Sequence, residues 1–238
     1  MKTKKNPSKP VWISLRACIC RVALVATAAL FAVSCATTEL GEYDAPAYRP
    51  MNQKNVRVKV SLQNRMVYVM EGNRMLLATP TAIGKPGHET PLGNFNAFNR
   101  IEKKRSNTYG YFVKGNQIVP GKSSNTPRGH RYVGFPMPYW VEFKSGYGFH
   151  AGSVWPVPRS HGCLRLHPNV APKFFALVPA GTPINIAQTQ PEDQTLGRNV
   201  RRPTDYADPD PPKPVMISAG AFPAPKGPIF AGGATARR

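Results

Sequence analysis

The chain has 238 residues, with 32 Lys and Arg against 12 Asp and Glu, which gives a formal net charge of +20. Residues 54–188 alone hold 18 basic and 4 acidic side chains. The excess charge therefore belongs to the folded part of the chain, which excludes a neutral domain with a basic tail. Such a surface attracts polyanions through its long-range electrostatic field.

The N-terminus has the pattern of an export signal. Residues 1–21 contain six basic side chains and no acid, and an apolar stretch follows over residues 22–34. A helix needs about 20 residues to span a bilayer, and this stretch is shorter. Its length is typical of a signal peptide. A short membrane anchor is the alternative. Because an exported protein rarely meets nucleic acid, we expect no nucleic-acid partner.

A cysteine, Cys35, ends the run Phe-Ala-Val-Ser-Cys at 31–35. A small residue before a cysteine resembles a bacterial lipobox, which predicts removal of residues 1–34 and acylation of Cys35. Two or more acyl chains hold a protein stably on a membrane, whereas one chain is marginal. The alternative is ordinary cleavage after Ala36. We therefore predict an exported protein of the periplasm or cell envelope, anchored to a membrane through Cys35.

Three regions follow the signal. Residues 35–53 are polar with two prolines and are predicted to form a tether. Residues 54–188 carry the periodic apolar pattern and have the length of one domain with its own core. Residues 189–238 contain nine prolines and few apolar side chains, which predicts an extended or disordered tail.

The domain is predicted to be mainly β, a sandwich or barrel with one or two short helices. Apolar residues alternate with polar ones in the first strand, and Gly and Pro separate short β-rich runs. The predicted strands begin at Val56 and then cover residues 66–70, 75–82, 109–113, 117–119, 139–143 and 183–187. A helix is predicted from Ala171 to Val178, with Asn169 as its cap. The basic run at 103–105 is interpreted as a solvated loop, and docking of anionic glycan or stem carboxylates is the alternative.

Cys163 is the most informative residue of the chain. Cys18 and Cys20 lie in or beside the signal, and Cys35 follows its apolar stretch. After export, Cys163 is then the one thiol of the folded domain. Oxidising compartments favour paired cysteines, so an unpaired one indicates a function, and the best interpretation is a nucleophile.

Two histidines lie close to this thiol in the sequence. The thiolate is the attacking form of cysteine, so a catalytic cysteine needs a base or a positive environment. His161 is two residues before Cys163, and a reversal of the loop at 153–159 brings His150 beside the sulfur. Gly162 allows close approach of substrate to the backbone, and amides near Cys163 can stabilise an oxyanion.

Two other interpretations of these residues stay open. Cys163 can be a buried cysteine beside a structural histidine. A zinc site is the other alternative, because four residues supply suitable ligands: His150, His161, Cys163 and His167. The spacing of His161 and Cys163 is awkward for two ligands of one tetrahedral ion on an extended segment. We therefore expect no metal and no cofactor.

The run Ser160-His161-Gly162-Cys163-Leu164-Arg165, preceded by Phe149-His150-Ala151, closely resembles the active-site signature of the L,D-transpeptidases, bacterial cell-wall enzymes. The runs at 90–95, 137–140 and 181–184 also match, so the resemblance covers essentially all of 54–188. It implies a β-rich sandwich and an acyl-enzyme mechanism. Two departures are Ala151 in place of the usual glycine and a short interval between His150 and Cys163.

The resemblance implies a role for each matching residue. Cys163 attacks the meso-diaminopimelate carbonyl of a tetrapeptide stem of peptidoglycan and expels D-alanine. His150 is the general base, the carbonyl of Ala151 orients it, and His161 supports it. Arg165 holds a substrate carboxylate or braces the loop. We also assign Ser160 to substrate binding. Tyr139 and Trp155 are expected to line the substrate cleft.

We therefore predict a peptidoglycan L,D-transpeptidase that passes its acyl group to an amine. One alternative is an L,D-carboxypeptidase or hydrolase on the same fold, with water as the acceptor. Another is a wall-binding lipoprotein without catalysis. The expected partners are peptidoglycan stem peptides and, through Cys35, a membrane. Stem peptides carry free carboxylates, which suit the basic surface.

Overall fold

The computed structural model describes residues 42–232. In this part of the chain, ten strands form two sheets, and two short α-helices and several single 3₁₀ turns connect them. The elements in chain order are β1 Val56–Ser61, β2 Met66–Glu71, β3 Arg74–Pro80, β4 Gly93–Asn96, β5 Asn99–Lys114, β6 Gln117–Lys122, β7 Arg131–Lys144, β8 Tyr147–Ala151, β9 Leu164–Leu166, α1 Ala171–Leu177, β10 Pro183–Ala187 and α2 Lys213–Met216. The predicted signal and Cys35 lie outside the described residues.

The strand orders are β3-β2-β1-β10-β4 in the first sheet and β6-β5-β7-β8-β9 in the second. In β1 the buried residues Val56, Val58 and Val60 alternate with more exposed ones, as the sequence pattern predicts. These valines share one core cluster with Phe149 of β8 and Leu164 of β9. The core therefore lies between the two sheets, and the prediction of a mainly β fold is confirmed.

Strand β2 is buried on both faces. Val67 and Val69 join the main core, whereas Met66 and Tyr68 belong to a second cluster on the opposite face. Leu196 and Val200, from the C-terminal segment, pack against that second cluster. The run 66–70 is apolar without alternation because the C-terminal segment covers its outer face.

The C-terminal segment differs from its prediction as an extended or disordered tail. Tyr68 donates a hydrogen bond to Asp193 at 2.8 Å, and Lys59 forms a 2.5 Å ion pair with Glu192. Arg105 donates to the carbonyl oxygens of Met216 and Ser218. Pro191 begins a 3₁₀ turn and Pro212 caps the start of α2, while polar anchors and a few apolar contacts hold the segment against the domain.

Residues 42–50 also differ from their prediction as a tether. Tyr43, Ala45 and Ala47 are buried in the main core, and the Tyr48 amide donates to the Leu76 carbonyl at 2.9 Å. These apolar side chains at alternate positions, together with the hydrogen bond to β3, hold the segment beside the first sheet. The folded domain therefore begins before residue 54.

The basic run at 103–105 lies within strand β5 and not in a loop. This strand pairs with β7 over most of its length, including Lys103 with Pro138 and Arg105 with Pro136. Most side chains of its first half are exposed or half-buried, so the sequence shows no apolar alternation there. Backbone hydrogen bonds to β7 define this part of the strand.

The predicted helix is present as α1, but its cap differs. The cap position is Val170, with no capping side chain, and Asn169 instead donates from its amide group to the Tyr43 carbonyl at 3.0 Å. Phe174 and Leu177 bury the inner face of the helix against the core. In the described residues, no helix is both long enough and apolar enough to cross a membrane.

Candidate active site

Cys163 ends a loop that connects the parallel strands β8 and β9. His150 of β8 pairs with Arg165 of β9, and Phe149 pairs with Leu164. Directly opposed residues of a sheet point to the same face, and so do residues two apart. His150, Arg165 and Cys163 therefore share the outer face of the second sheet, while Phe149 and Leu164 face the core. The topology brings together a thiol and an imidazole that are thirteen positions apart.

The loop before Cys163 is fixed to the segment that follows β3. The backbone amide of Ser160 donates to the Ile83 carbonyl at 3.0 Å, and Lys85 donates to the Ser160 carbonyl at 3.0 Å. After the thiol, Arg165 and Ala82 exchange two backbone hydrogen bonds of 3.1 Å. Backbone contacts therefore fix the thiol on both sides.

Ser160 is a loop-bracing residue and not the substrate contact that the sequence analysis assigned. Its side chain is buried, and its hydroxyl donates to the Cys163 carbonyl at 2.6 Å. The same oxygen accepts a hydrogen bond from the Gly162 amide at 3.0 Å. Both partners lie in the turn that carries the thiol, so this hydroxyl is committed within the loop.

Gly162 is a conformational requirement of the same turn. Its φ is +104°, and a Cβ atom built there lies 2.5 Å from Cε1 of Tyr147. Only glycine adopts this backbone without strain in so tight a space. The Gly162 amide is committed to Ser160, so it is not the free oxyanion donor that the sequence suggested.

Thr90 connects three separate segments at the site. Its buried hydroxyl donates to the Gly162 carbonyl at 2.9 Å and accepts from the Gly84 amide at 3.0 Å. Thr90 belongs to the run 90–95 that matched the family signature, but the sequence gave no role for its hydroxyl. Thr90 and Gly162 are 72 positions apart, so no local sequence pattern predicts the contact between them.

The sulfur of Cys163 lies over the turn between β7 and β8. It donates to the Gly146 carbonyl at 3.7 Å, and the residue is partly exposed and unpaired. Burial of the sulfur raises the pKa of the thiol above its ordinary value, while a backbone hydrogen bond from Gly148 and the charge of Arg165 act in the opposite direction. The net direction favours the neutral thiol at rest.

His150 is buried and held in one tautomer. Its Nδ1 lies 2.8 Å from the carbonyl oxygen of Ala151, which only accepts, so Nδ1 carries the proton and Nε2 is a free acceptor. Burial, with a smaller contribution from the charge of Arg165, lowers the pKa of His150 to about 4. The ring is therefore a neutral base at physiological pH. The predicted orienting contact with the Ala151 carbonyl is present.

Trp140 and Glu142 line the same face on the neighbouring strand β7. The Trp140 ring lies 6.1 Å from the His150 ring, and it covers Gly148 so closely that a Cβ there would lie 2.7 Å from it. Glu142 accepts hydrogen bonds from Asn99 and Trp140 at 2.9 and 3.3 Å. Although burial raises the pKa of Glu142, these bonds and one from the Gly146 amide lower it overall. Glu142 was not predicted as a site residue, because no local sequence pattern connects it with the thiol.

Arg165 has a guanidinium group without an ion-pair partner among residues 42–232. Burial lowers its pKa, and the negative charge of the Cys163 thiolate acts in the opposite direction. Its side chain runs along Gly152, with Cδ 3.2 Å from a Cβ built there. It supplies a positive charge beside the sulfur.

His161 lies in an aromatic cluster at the rim of the site. Its ring stacks on Tyr109 at 4.6 Å and contacts the edge of His88 at 4.7 Å. Burial and the neighbouring charges of Lys85 and His88, with smaller effects from Arg165 and Lys122, lower the pKa of His161. Lys85 and Lys122 therefore form a cationic rim beside His161.

Tyr139 and Trp155, which the sequence analysis placed along the cleft, occupy other positions. Tyr139 is buried in the core, with its ring 5.8 Å from Phe175 of α1, because it shares the inward face of β7 with Val141. Trp155 packs between the Arg159 guanidinium at 3.8 Å and the Tyr206 ring at 5.3 Å. Trp155 thus connects the loop before Cys163 to the C-terminal segment.

His167 lies apart from this group. It is buried, its ring lies 5.0 Å from that of Tyr43, and its Nδ1 accepts from the Asn169 amide at 3.2 Å. Within residues 42–232, no three His, Cys, Asp or Glu side chains are arranged to hold a metal ion. The four ligands of the zinc alternative are therefore not assembled in this structure.

The fold and the site define a two-sheet β protein with a thiol and a neutral imidazole on one sheet face. Residues 55–186 match the family of the L,D-transpeptidase catalytic domain, and the chain belongs to that family. The resemblance found in the sequence is thereby confirmed. A comparison with curated proteins gave no match.

The chain is also similar to several solved structures of L,D-transpeptidases. One from Stackebrandtia nassauensis is 19% identical, with a TM-score of 0.43, and the match covers 61% of this chain and 60% of that one. L,D-transpeptidase 1 of Mycobacterium tuberculosis is 24% identical, with a TM-score of 0.40 and coverages of 56% and 59%. The catalytic domain of an Enterococcus faecium L,D-transpeptidase is 25% identical, with a TM-score of 0.39 and coverages of 56% and 96%. The chain thus spans about 60% of the length of the first of these relatives.

Proposed function

We propose that this protein is a cysteine-dependent L,D-transpeptidase that acts on the stem peptides of peptidoglycan. The observation that carries the proposal is the pairing of His150 with Arg165, which places the imidazole on the same sheet face as Cys163. Membership of the L,D-transpeptidase family supports the reaction type. The contacts of the individual residues support the roles proposed for them below.

In the first step, His150 Nε2 accepts the proton of the Cys163 thiol as the sulfur attacks an acyl carbon. The raised pKa of the thiol and the lowered pKa of His150 keep both groups neutral at rest, so charge develops only when the substrate is in place. The Ala151 carbonyl holds Nδ1–H and so stabilises the imidazolium that forms. General-base assistance of this kind contributes about 10²–10⁴-fold to the rate.

The substrate carbonyl is that of meso-diaminopimelate in a tetrapeptide stem. Its bond to the terminal D-alanine breaks, and the imidazolium returns its proton to the leaving amine. A thioester then links the stem to Cys163. An amine of a second stem attacks this thioester, loses a proton to His150 and releases the thiol. Arg165 and the cationic rim near His161 attract stem carboxylates.

Water can replace the amine in the second step, which gives an L,D-carboxypeptidase or hydrolase. Analysis of the products by mass spectrometry of muropeptides distinguishes these outcomes, because cross-linked dimers require an amine acceptor. A wall-binding lipoprotein without catalysis is the remaining alternative. It predicts retention on peptidoglycan without turnover and no effect of Cys163→Ser.

We place the mature protein in the periplasm or cell envelope, held on a membrane by acylated Cys35. Mass spectrometry of the protein from membrane fractions tests this. A diacyl or triacyl group on Cys35 supports the proposal, whereas a mature N-terminus at residue 37 with no lipid contradicts it.

The decisive experiment is acylation by a carbapenem. One of the similar solved structures is an L,D-transpeptidase in complex with imipenem. We expect intact mass spectrometry to show one imipenem adduct on the wild-type protein and none on Cys163→Ala. The absence of an adduct on the wild type, or an equal adduct on the variant, contradicts the proposal.

A further inference from the structure

The outer face of the first sheet carries a groove of about 390 Å³, formed where β1, β10 and β4 lie side by side. Five polar side chains line it: Arg57, Lys59, Asn94, Asn96 and Asn185. The strand register arranges them in two rows, because Lys59 pairs with Asn185 and Asn185 with Asn94, while Asn96 lies beside Pro183 in the next row. The groove thus crosses three strands.

This groove is separate from the thiol. Arg57 and Lys59 alternate with valines that are buried between the two sheets, so they face outward from the first sheet. Cys163 lies on the outer face of the second sheet, with Leu164 in the shared core. The two sites are therefore on opposite sides of the sandwich, and a molecule in the groove is not the group undergoing reaction.

The amides of the groove are orientated by a chain of hydrogen bonds. Gln190, which is buried, donates from Nε2 to the Val60 carbonyl at 3.1 Å and to Asn185 Oδ1 at 2.7 Å. Asn185 Nδ2 in turn donates to Asn94 Oδ1 at 2.7 Å. Each of these two side-chain oxygens accepts one hydrogen bond, which orientates the amides and leaves the N–H donors of the exposed Asn94 available to the groove.

The charges of the groove favour an anion. Lys59 is paired with Glu192 at 2.5 Å. Arg57 is exposed and has no ion-pair partner among residues 42–232, and no acidic side chain lines the groove. A guanidinium offers five donors and no acceptor. The groove therefore presents hydrogen-bond donors and one uncompensated positive charge.

We propose that this groove binds an anionic, N-acetylated glycan strand and anchors the domain on it. Hydroxyl, N-acetyl and carboxylate oxygens of such a polymer are acceptors that match the Asn94 and Arg57 donors. The choice of glycan rests on the proposed function, because peptidoglycan is the anionic glycan that this function brings near the groove. In this proposal, the enzyme holds one glycan strand on the outer face of its first sheet. The thiol on the outer face of the second sheet then acts on stem peptides.

The test is binding of glycan strands whose stem peptides have been removed, which leaves lactyl carboxylates on the sugar chain. Binding is measured in the full-length protein with Cys163→Ala as background. Arg57→Glu is expected to weaken binding by about tenfold or more, since a charge-assisted hydrogen bond contributes roughly 1.5–3 kcal/mol. Asn94→Leu is expected to weaken it as well. Lys114→Glu, which makes the same change of net charge at the end of β5, is the matched control.

Three outcomes overturn the proposal. These are equal loss in Arg57→Glu and Lys114→Glu, unchanged binding in Arg57→Glu, and equally strong binding of polyglutamate, which shows attraction by charge alone. A control is made with Arg57→Glu in the protein that keeps Cys163. Imipenem is expected to acylate it at the wild-type rate, which confirms that the variant folds. If imipenem fails to acylate even the wild type while glycan binding depends on Arg57, the proposed reaction is contradicted. The proposal of glycan binding in the groove is then still supported.

Discussion

The imidazole of His150 is tied to the carbonyl oxygen of the next residue, Ala151, by a 2.8 Å hydrogen bond from Nδ1. This contact leaves Nε2 unprotonated, and burial lowers the pKa of the ring to about 4. The base is therefore ready to accept a proton at neutral pH without first losing one to solvent. The thiol has the opposite shift, which keeps the resting pair uncharged.

The first prediction concerns pH. Because protonation of Nε2 removes the acceptor, acylation by imipenem is expected to fall as the pH drops through about 4, where His150 titrates. At high pH the rate is expected to rise through a midpoint above the ordinary cysteine value, because burial raises the pKa of Cys163. Intact mass spectrometry at a series of pH values measures both the acid and the alkaline part of the pH–rate profile. An acid midpoint near the ordinary histidine value of 6.5 contradicts this picture of a buried base.

The second prediction concerns Thr90. Thr90→Val removes the hydroxyl that joins Gly84 to Gly162 and leaves a buried amide and a buried carbonyl unpaired. Each unpaired group costs about 1–3 kcal/mol, so acylation is expected to slow by about tenfold or more. Thr90→Ser keeps the hydroxyl and is expected to retain most activity. Equal rates for the two variants contradict a role for the hydroxyl.

The third prediction separates backbone strain from crowding at Gly162. Gly162→Ala introduces a Cβ 2.5 Å from Tyr147, at a φ of +104°. Gly129→Ala is the control, because Gly129 also has a positive φ, +77°, but open space around it. Positive φ alone costs about 1–2 kcal/mol. In chemical denaturation Gly162→Ala is expected to lose more stability than the control, and it is also expected to lose acylation. A loss equal to that of the control means that the contact with Tyr147 is easily relieved.

The fourth prediction concerns the C-terminal segment. Tyr206 packs on Trp155, and Asp205 accepts from the Val154 amide at 3.3 Å, so this segment supports the loop before Cys163. An aromatic pair contributes about 0.5–1.5 kcal/mol beyond its buried area, so Tyr206→Ala is expected to slow acylation several-fold. Tyr206→Phe keeps the ring and is expected to retain the wild-type rate. If both variants acylate at that rate, the segment has no part in placing the loop.

Much of this protein was predictable from local sequence patterns. The alternating valines of β1, the hairpin turn between β2 and β3, and the helix near residue 171 all depend on near neighbours in the chain. Side-chain alternation and turn chemistry are local properties, so they give the strands and the fold class directly. Cys163 and His150 could also be identified from the sequence, because nucleophilic and basic chemistry depends on residue type.

Only the tertiary structure decided which of these residues meet. Thr90 reaches Gly162 and Gln190 orientates Asn185 through contacts between segments, and Tyr139 turns inward because β7 places it beside Val141. The proline-rich end lies on the domain because its few anchors match polar and apolar positions on distant strands. Hydrogen bonds and packing form between surfaces that the chain brings together only on folding. The sequence by itself therefore determined the elements and the reactive groups, whereas folding decided their contacts.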